Sequence, residues 1–269
     1  MALERISGED VAVAIARIRN TARTLAELGQ ASIQTTTQIL AEWGLDNVNC
    51  DKCGNTGQIV WQEDGNLHCK ECECMAKRLS LRRIKNSGME DMLERYTFDN
   101  YETPNEYRRL IKEQAIKFTK DDEGWFYIFG QSGSGKTHIC TAICREFINS
   151  GIETYYMNWR DESVILKAII NDDETYARKI NKLKTVPVLY IDDFLKAGSS
   201  GADVKLAFEI LNGRYNTRKL RTIISCELTQ EGIFEIDEAI AGRIYERAKR
   251  RNYFIKAPKE NWRVREIHG

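Results

Sequence analysis

One run of eight residues constrains the fold of this chain more than any other: Gly130, Gln131, Ser132, Gly133, Ser134, Gly135, Lys136 and Thr137. It satisfies the spacing G-x4-G-K-[ST], with the apolar WFYIF before it and the helix-forming KTHICTAICREFINSG after it. That context predicts a strand, a tight loop and a helix, in that order. Glycines at these positions let the backbone curl until successive N–H groups point inward, and the helix start adds its positive end to the same point. Such a nest takes phosphate oxygens. The Lys136 ammonium is placed to bridge the outer phosphates, and the Thr137 hydroxyl is a natural ligand for Mg²⁺. ATP is therefore the expected ligand, with His138 next to the loop. Binding a triphosphate does not separate kinases, motors, switches and assembly factors, so the flanking sequence has to.

A phosphate loop of this kind needs a second strand ending in a carboxylate. The segment VLYIDD supplies four apolar residues followed by Asp192 and Asp193. Asp192 is expected to orient the magnesium and Asp193 to polarise an attacking water. Aspartate is one methylene shorter than the glutamate often found in that role, so slow turnover is expected, as in a switch. A third apolar strand, RTIISCEL, ends at Ser225 and Glu227 and is expected to neighbour the Asp192 strand, aiming both groups at the γ-phosphate. Further on, GRIYER places Arg243 and Arg247 on a helix, where an arginine can serve a neighbouring subunit's site. The strand–helix alternation from about residue 96 predicts an α/β fold, with a mostly parallel sheet and helices on both faces.

Upstream the character changes. Residues 10–28 carry apolar positions at alternating steps of four and three, the stripe of an amphipathic helix, and SIQTTTQILAEWG predicts a second. Five of the eight cysteines then fall within CDKCGNTGQIVWQEDGNLHCKECEC. Cys50-x2-Cys53 followed by Cys69-x2-Cys72 has the spacing of a four-thiolate Zn²⁺ ribbon, with Cys74 and His68 as further donors. QIVWQ reads as a short strand between turns. The run AKRLSLRRIKNSGM has five bases and no acid, and reads as a basic linker able to touch a DNA backbone. The expected organisation is a helical and zinc-binding domain over 1–75, a linker over 76–95 and a nucleotide-binding domain over 96–269. With 40 basic and 40 acidic residues, any grip on nucleic acid has to come from a local patch. No apolar run is long enough to span a bilayer, and the first residues lack a secretory layout, so a cytoplasmic protein without membrane contact is expected. Reduced thiols in that compartment favour metal ligation over disulfides.

Taken in order, YTFDNYETPNE, GQSGSGKTHICTAI, VLYIDDF, RTIISCELT, IDEAIAGRIYER and ENWRVR resemble the DnaC-like (DnaI-type) loaders of the replicative helicase, within the AAA+ ATPases. The resemblance is strong from Tyr96 onward and looser over the cysteines. It implies that Lys136 and Thr137 act as the Walker A pair and Asp192 and Asp193 as the Walker B pair. It also implies that Arg243 is an arginine finger and that Arg263 is the sensor 2 arginine. Glu227 falls near the sensor 1 position, where AAA+ proteins usually carry asparagine. Related loaders often close the metal cluster as Cys-x-Cys, which would select Cys72 and Cys74. The implied function is delivery of a DnaB-type hexameric helicase onto single-stranded DNA, powered by slow ATP hydrolysis. The amino-terminal helices and zinc module would grip the helicase, and AAA+ surfaces would allow self-association. Trp159 and Arg160 are candidate DNA contacts. An IstB-like transposition helper and a nucleotide-binding adaptor with little turnover are the alternatives.

Overall fold

In the computed structural model the described residues are 49–54, 56–63, 66–86, 89–196, 200–259 and 261. The two amino-terminal helices expected before residue 49 lie outside them. The chain divides into two compact units, Met1–Cys72 and Glu73–Gly269.

The described part of the first unit is a hairpin of β1 (Gln58–Glu63) and β2 (Asn66–Glu71), antiparallel and paired one-to-one from Gln58↔Glu71 to Glu63↔Asn66. The QIVWQ strand is thus present, and it pairs with a second strand, NLHCKE, where the sequence pattern alone shows no strand. Its mixture of charged and polar residues hides a strand signal, because a two-stranded ribbon has no buried face to impose alternation.

The second unit opens with α1 (Cys74–Asn86) and α2 (Glu90–Arg95). The stretch expected as a basic linker is therefore helical. Met89 and Leu93 are buried and Leu81 packs on the core, and of the bases in this stretch Arg78 is itself buried. Next come α3 (Glu106–Lys120), β3 (Trp125–Phe129), α4 (Lys136–Asn149), β4 (Thr154–Asn158), α5 (Trp159–Ala168) and α6 (Asp173–Thr185). Between β4 and β5 the polar run forms two helices, the second capped by Asp172, whose side chain accepts from the Thr175 N–H. The chain continues through β5 (Val188–Asp192), α7 (Gly201–Tyr215), β6 (Arg221–Cys226), α8 (Gln230–Ile236), α9 (Glu238–Lys249) and β7 (Phe254–Lys256).

Among the described residues of this unit, five strands form one parallel sheet in the order β4-β5-β6-β3-β7. Every residue of β3 and β5 is buried, as expected where helices cover both faces of a sheet. One core cluster lies under α5 to α9, around Leu189, Ile191, Ile210 and Ile244. The other lies under α2, α3 and α4, around Ile111, Phe118, Ile143 and Tyr190. Arg214 is fully buried and fastens the first layer without an acid partner. Its guanidinium donates to the Leu183, Val186 and Arg221 carbonyls and to Thr222 Oγ1, all within 2.9 Å. Burial, with Arg247 adding repulsion, lowers its pKa to about 9.

The register makes the central strands end level: Phe129 lies opposite Cys226, Ile191 opposite Ile224, and Asn158 opposite Asp192. That common edge carries the site.

Glu162, on α5, supplies a pH test of this packing. Burial raises its pKa to about 7 despite a hydrogen bond from Tyr155. The folded state thus holds the proton more tightly than the unfolded chain, so the carboxylate costs stability as pH rises from about 4.5 to 7. Relative to wild type, Glu162→Gln is expected to be stabilising by roughly 1–3 kcal/mol at pH 8 and neutral near pH 4. Denaturant titrations at the two pH values check this.

Candidate functional site

The loop between β3 and α4 folds as its glycines require. Gly133 and Gly135 have φ of 77° and 89°, in the left-handed region that a side chain disfavours. A methyl group at Gly133 would also meet the side-chain amide of Asn261, which would have to move aside. Gly135 caps α4, so the helix begins at Lys136. The Lys136 ammonium is buried and donates to the Gly130 carbonyl at 2.7 Å and the Gln131 carbonyl at 2.9 Å. Ser134 Oγ donates to the Gln131 carbonyl at 2.8 Å. From the carboxyl side, the Ala257 N–H donates to the Phe129 carbonyl and Gln131 Nε2 bonds the Lys259 carbonyl. The chain beyond β7 therefore runs along the loop.

At the ends of β5 and β6 the two strand tips are tied together. Ser225 Oγ donates to Asp192 Oδ1, and the Asp193 N–H reaches Ser225 Oγ at 3.2 Å. Tyr156 in β4 adds a 3.3 Å bond to Asp192 Oδ2. Burial raises the Asp192 pKa, while these hydroxyls work against the rise. The Lys136 pKa is lowered by burial, against the pull of Glu227, Asp193 and Asp192. Buried carboxylate and buried ammonium are thus incompletely compensated here, as expected where a charged ligand completes the balance.

These groups surround one cavity of about 360 Å³. Its walls bring together the loop residues Ser132, Gly133, Gly135, Lys136, Thr137 and His138 with Asp192, Asp193 and Glu227. Ser225 stands behind Asp192, turned to that carboxylate. Met92, Tyr96, Tyr156 and Lys196 also line the cavity, and sequence reasoning did not single them out for it. Tyr96 opens the YTFDNY stretch and stacks on His138 with ring centroids 4.8 Å apart. Burial lowers the His138 pKa. Lys196 follows Asp193 by three residues, and that spacing was the available signal. The donor set fits magnesium: the Thr137 hydroxyl and the Asp192 carboxylate are hard oxygen ligands on one cavity wall.

Arg243, Arg247 and Trp159 stand away from this cavity. Arg243 does not line the cavity. Its Nε and Nη2 donate to Asn212 Oδ1 at 3.1 and 2.8 Å, and its guanidinium lies over Phe208 and Tyr215. Arg247 donates to the Arg218 carbonyl and lies by Trp125. Arg263 is outside the described residues. Trp159 cannot stack on a DNA base: it is 3% exposed and packs edge-on against Phe194. Its spacing with the buried Ser163 and Leu166 marks the inward stripe of α5. Arg160 beside it is exposed.

Around the hairpin, the sulfurs of Cys50, Cys53, Cys72 and Cys74 all lie within 4.8 Å of one another, a group able to hold a metal ion. The Cys50 and Cys72 sulfurs are 3.8 Å apart, close to the roughly 3.8 Å edge of a tetrahedron with 2.3 Å metal–sulfur bonds. The described residues thus assemble the Cys-x-Cys arrangement. His68 is exposed and stacks on Trp61, and Cys69 sits in β2 opposite Val60.

Fold and site together define a phosphate-loop nucleotide-binding protein of AAA+ type. The chain belongs to the family of IstB-like ATP-binding proteins, whose model matches residues 65–267. Phage-like element PBSX protein XkdC of Bacillus subtilis (strain 168) is 28% identical over 223 residues, covering 77% of this chain and 82% of that protein. The replicative helicase loader DnaC of Escherichia coli (strain K12) is 22% identical over 197 residues, covering 71% and 79%. The crystal structure of DnaI superposes with a TM-score of 0.52 at 20% identity, over 64% of this chain and 92% of that one. The replication initiator DnaA bound to AMPPCP and single-stranded DNA gives 0.54 at 18% identity, over 64% and 55%. At such identities these two structures establish the shared fold.

The cysteine group gives a direct expectation. Elemental analysis of the purified protein should find a thiophilic metal at stoichiometric level. Cys72→Ser should deplete it, and Cys140→Ser, in the core of α4, should not.

Proposed function

We propose that this protein is an ATP-dependent loader of a replicative DNA helicase. The observation that carries the reading is the convergence of Lys136, Thr137, Asp192 and Asp193 on one cavity at the level ends of neighbouring strands. The DnaC relationship directs that ATP site towards helicase delivery. On this reading Gly130 to Thr137 cradle the triphosphate, and the Lys136 ammonium leaves the loop carbonyls for the outer phosphates. Thr137 and Asp192 would hold magnesium, whose charge would offset that of the phosphate oxygens. Asp193 accepts a proton from water as the water oxygen bonds to the γ-phosphorus. The bond to the bridging oxygen breaks, yielding ADP and inorganic phosphate. Met92 and Tyr96, with His138, offer an apolar and aromatic wall for the base. Arg263, as the resemblance implies, would act as the sensor 2 arginine.

Zinc in the four-cysteine group would fold the hairpin region, where few apolar residues can do so, contributing on the order of 10 kcal/mol. The amino-terminal region would hold the helicase, and the nucleotide-binding unit would meet single-stranded DNA. Arg243 would have to leave Asn212 to serve a neighbouring copy. No helix among the described residues is long and apolar enough to cross a membrane, in keeping with work on DNA in the cytoplasm. The transposition-helper reading draws on the IstB family name, and association with a transposase instead of a helicase would establish it.

Lys136→Ala is expected to weaken ATP binding at least 100-fold and to abolish helicase delivery. Fluorescent-nucleotide titration and a helicase-loading assay on single-stranded DNA measure the two effects. Delivery that persists in Lys136→Ala contradicts the ATP-driven reading.

A further inference from the structure

The sequence resemblance gives no role to Lys196, yet the fold seats it on the wall of the nucleotide cavity. Lys196 Nζ lies 3.1 Å from Asp193 Oδ2 and 2.9 Å from Glu227 Oε1, so one ammonium bridges the tips of β5 and β6. The backbone enforces this position. Phe194 and Leu195 are buried, and seating both in the core leaves Asp193 and Leu195 at φ of 53° and 49°, left-handed values uncommon for such residues. The Phe194 N–H donates to the Ser225 carbonyl at 2.9 Å, and the Lys196 N–H donates to the Asp193 carbonyl at 3.2 Å. The turn is thereby tied to β6 and keeps its lysine beside both carboxylates. Glu227 makes that lysine matter. It stands near a position where AAA+ proteins usually carry asparagine, whose amide can donate to a phosphate oxygen, whereas a carboxylate only accepts. Among the described residues, the cavity wall sets the acids Asp192, Asp193 and Glu227 against the ammonium groups of Lys136 and Lys196.

We propose that Lys196 is the residue by which this site selects a nucleoside triphosphate over a diphosphate: its ammonium turns from Asp193 and Glu227 to the γ-phosphate. This deepens the proposed ATP-binding reading and rests on it. A diphosphate is held by the N–H groups of the 130–137 loop and by Lys136. A third phosphate extends past the loop to the tips of β5 and β6, where Asp193 and Glu227 would repel it unless a cation stands between. Lys196 is the cation already placed there, and it supplies the donor that Glu227 cannot. The Lys196, Asp193 and Glu227 side chains keep 27%, 34% and 26% exposure, so their pairing is of the weak, displaceable kind. A phosphate oxygen carrying full charge is a stronger partner for the same N–H.

Equilibrium titrations of the full chain with magnesium and fluorescent forms of ADP and of a non-hydrolysable ATP analogue test this, with a melting temperature for each variant. Wild type should prefer the triphosphate. Lys196→Met should weaken triphosphate binding roughly ten- to hundredfold, the scale of one charge-assisted hydrogen bond, and diphosphate binding less than about threefold. Lys196→Arg should keep the preference. Glu227→Gln removes a competing carboxylate with little change of shape, and should tighten triphosphate binding roughly three- to fivefold while leaving the diphosphate as it was. A wild type without the preference overturns the proposal. So does a Lys196→Met variant that loses both nucleotides equally or neither, and so does a Glu227→Gln variant that fails to gain. Should Lys196→Met not fold, Glu227→Gln decides. A wild type that binds nucleotide beside variants that leave the preference intact removes only the role of Lys196; a wild type that binds neither nucleotide removes the ATP reading as well.

Discussion

A carboxylate buried at the tip of β5 organises the rest of the nucleotide-binding unit. Asp192 is 7% exposed, and its charge is tolerable there only because hydroxyls from two neighbouring strands, Ser225 and Tyr156, turn towards it. That requirement sets the registration of β4, β5 and β6, since a slip of one residue would move Ser225 off Asp192 and face every core side chain the wrong way. Level strand ends then fall to β3 by its pairing with β6, with the Gly130 N–H on the Cys226 carbonyl. The loop and its lysine are thereby delivered opposite the carboxylates. Fold and site are thus set by one geometric condition.

The same edge explains why the site is electrostatically unfinished. Lys136 and Lys196 face Asp192, Asp193 and Glu227 across a cavity, and each ammonium is held by the protein itself: Lys136 by loop carbonyls, Lys196 by two carboxylates. Both arrangements are exchangeable for phosphate. A site whose ammonium groups are held by protein oxygens when empty and have to be released when loaded has two distinct states.

Much of this was legible in the sequence because the elements concerned have strong periodic signals. WFYIF, VLYID and RTIISC are continuous apolar runs, the mark of strands covered on both faces, and the residue that follows each run fixes the strand tip. The adjacency of the Asp192 and Ser225 strands followed from the order of those runs. What escaped depends on tertiary partners. The stretch 76–95 reads as a basic linker until Met89 and Leu93 find the core, and Trp159 reads as a candidate DNA contact until Phe194 meets its ring. The cysteine spacing alone admits several ligand sets, because sulfur positions depend on how the hairpin brings Cys50 and Cys53 to Cys72 and Cys74. Arg243 has the position of a residue that acts on a neighbour, but Asn212 and two aromatic rings on α7 hold it. Lys196 offers only its three-residue spacing from Asp193, because the left-handed turn that brings it to Asp193 and Glu227 forms around the buried Phe194 and Leu195.

The central claim is that this cavity takes a magnesium–nucleotide complex across the tips of β3, β5 and β6. A crystal structure of the full chain with a non-hydrolysable ATP analogue and magnesium tests it most directly. The account predicts the outer phosphates on the 130–137 loop with Lys136 turned to them, and the metal between Thr137 and Asp192. An analogue seated elsewhere, or a loop that stays empty at saturating analogue, would contradict it.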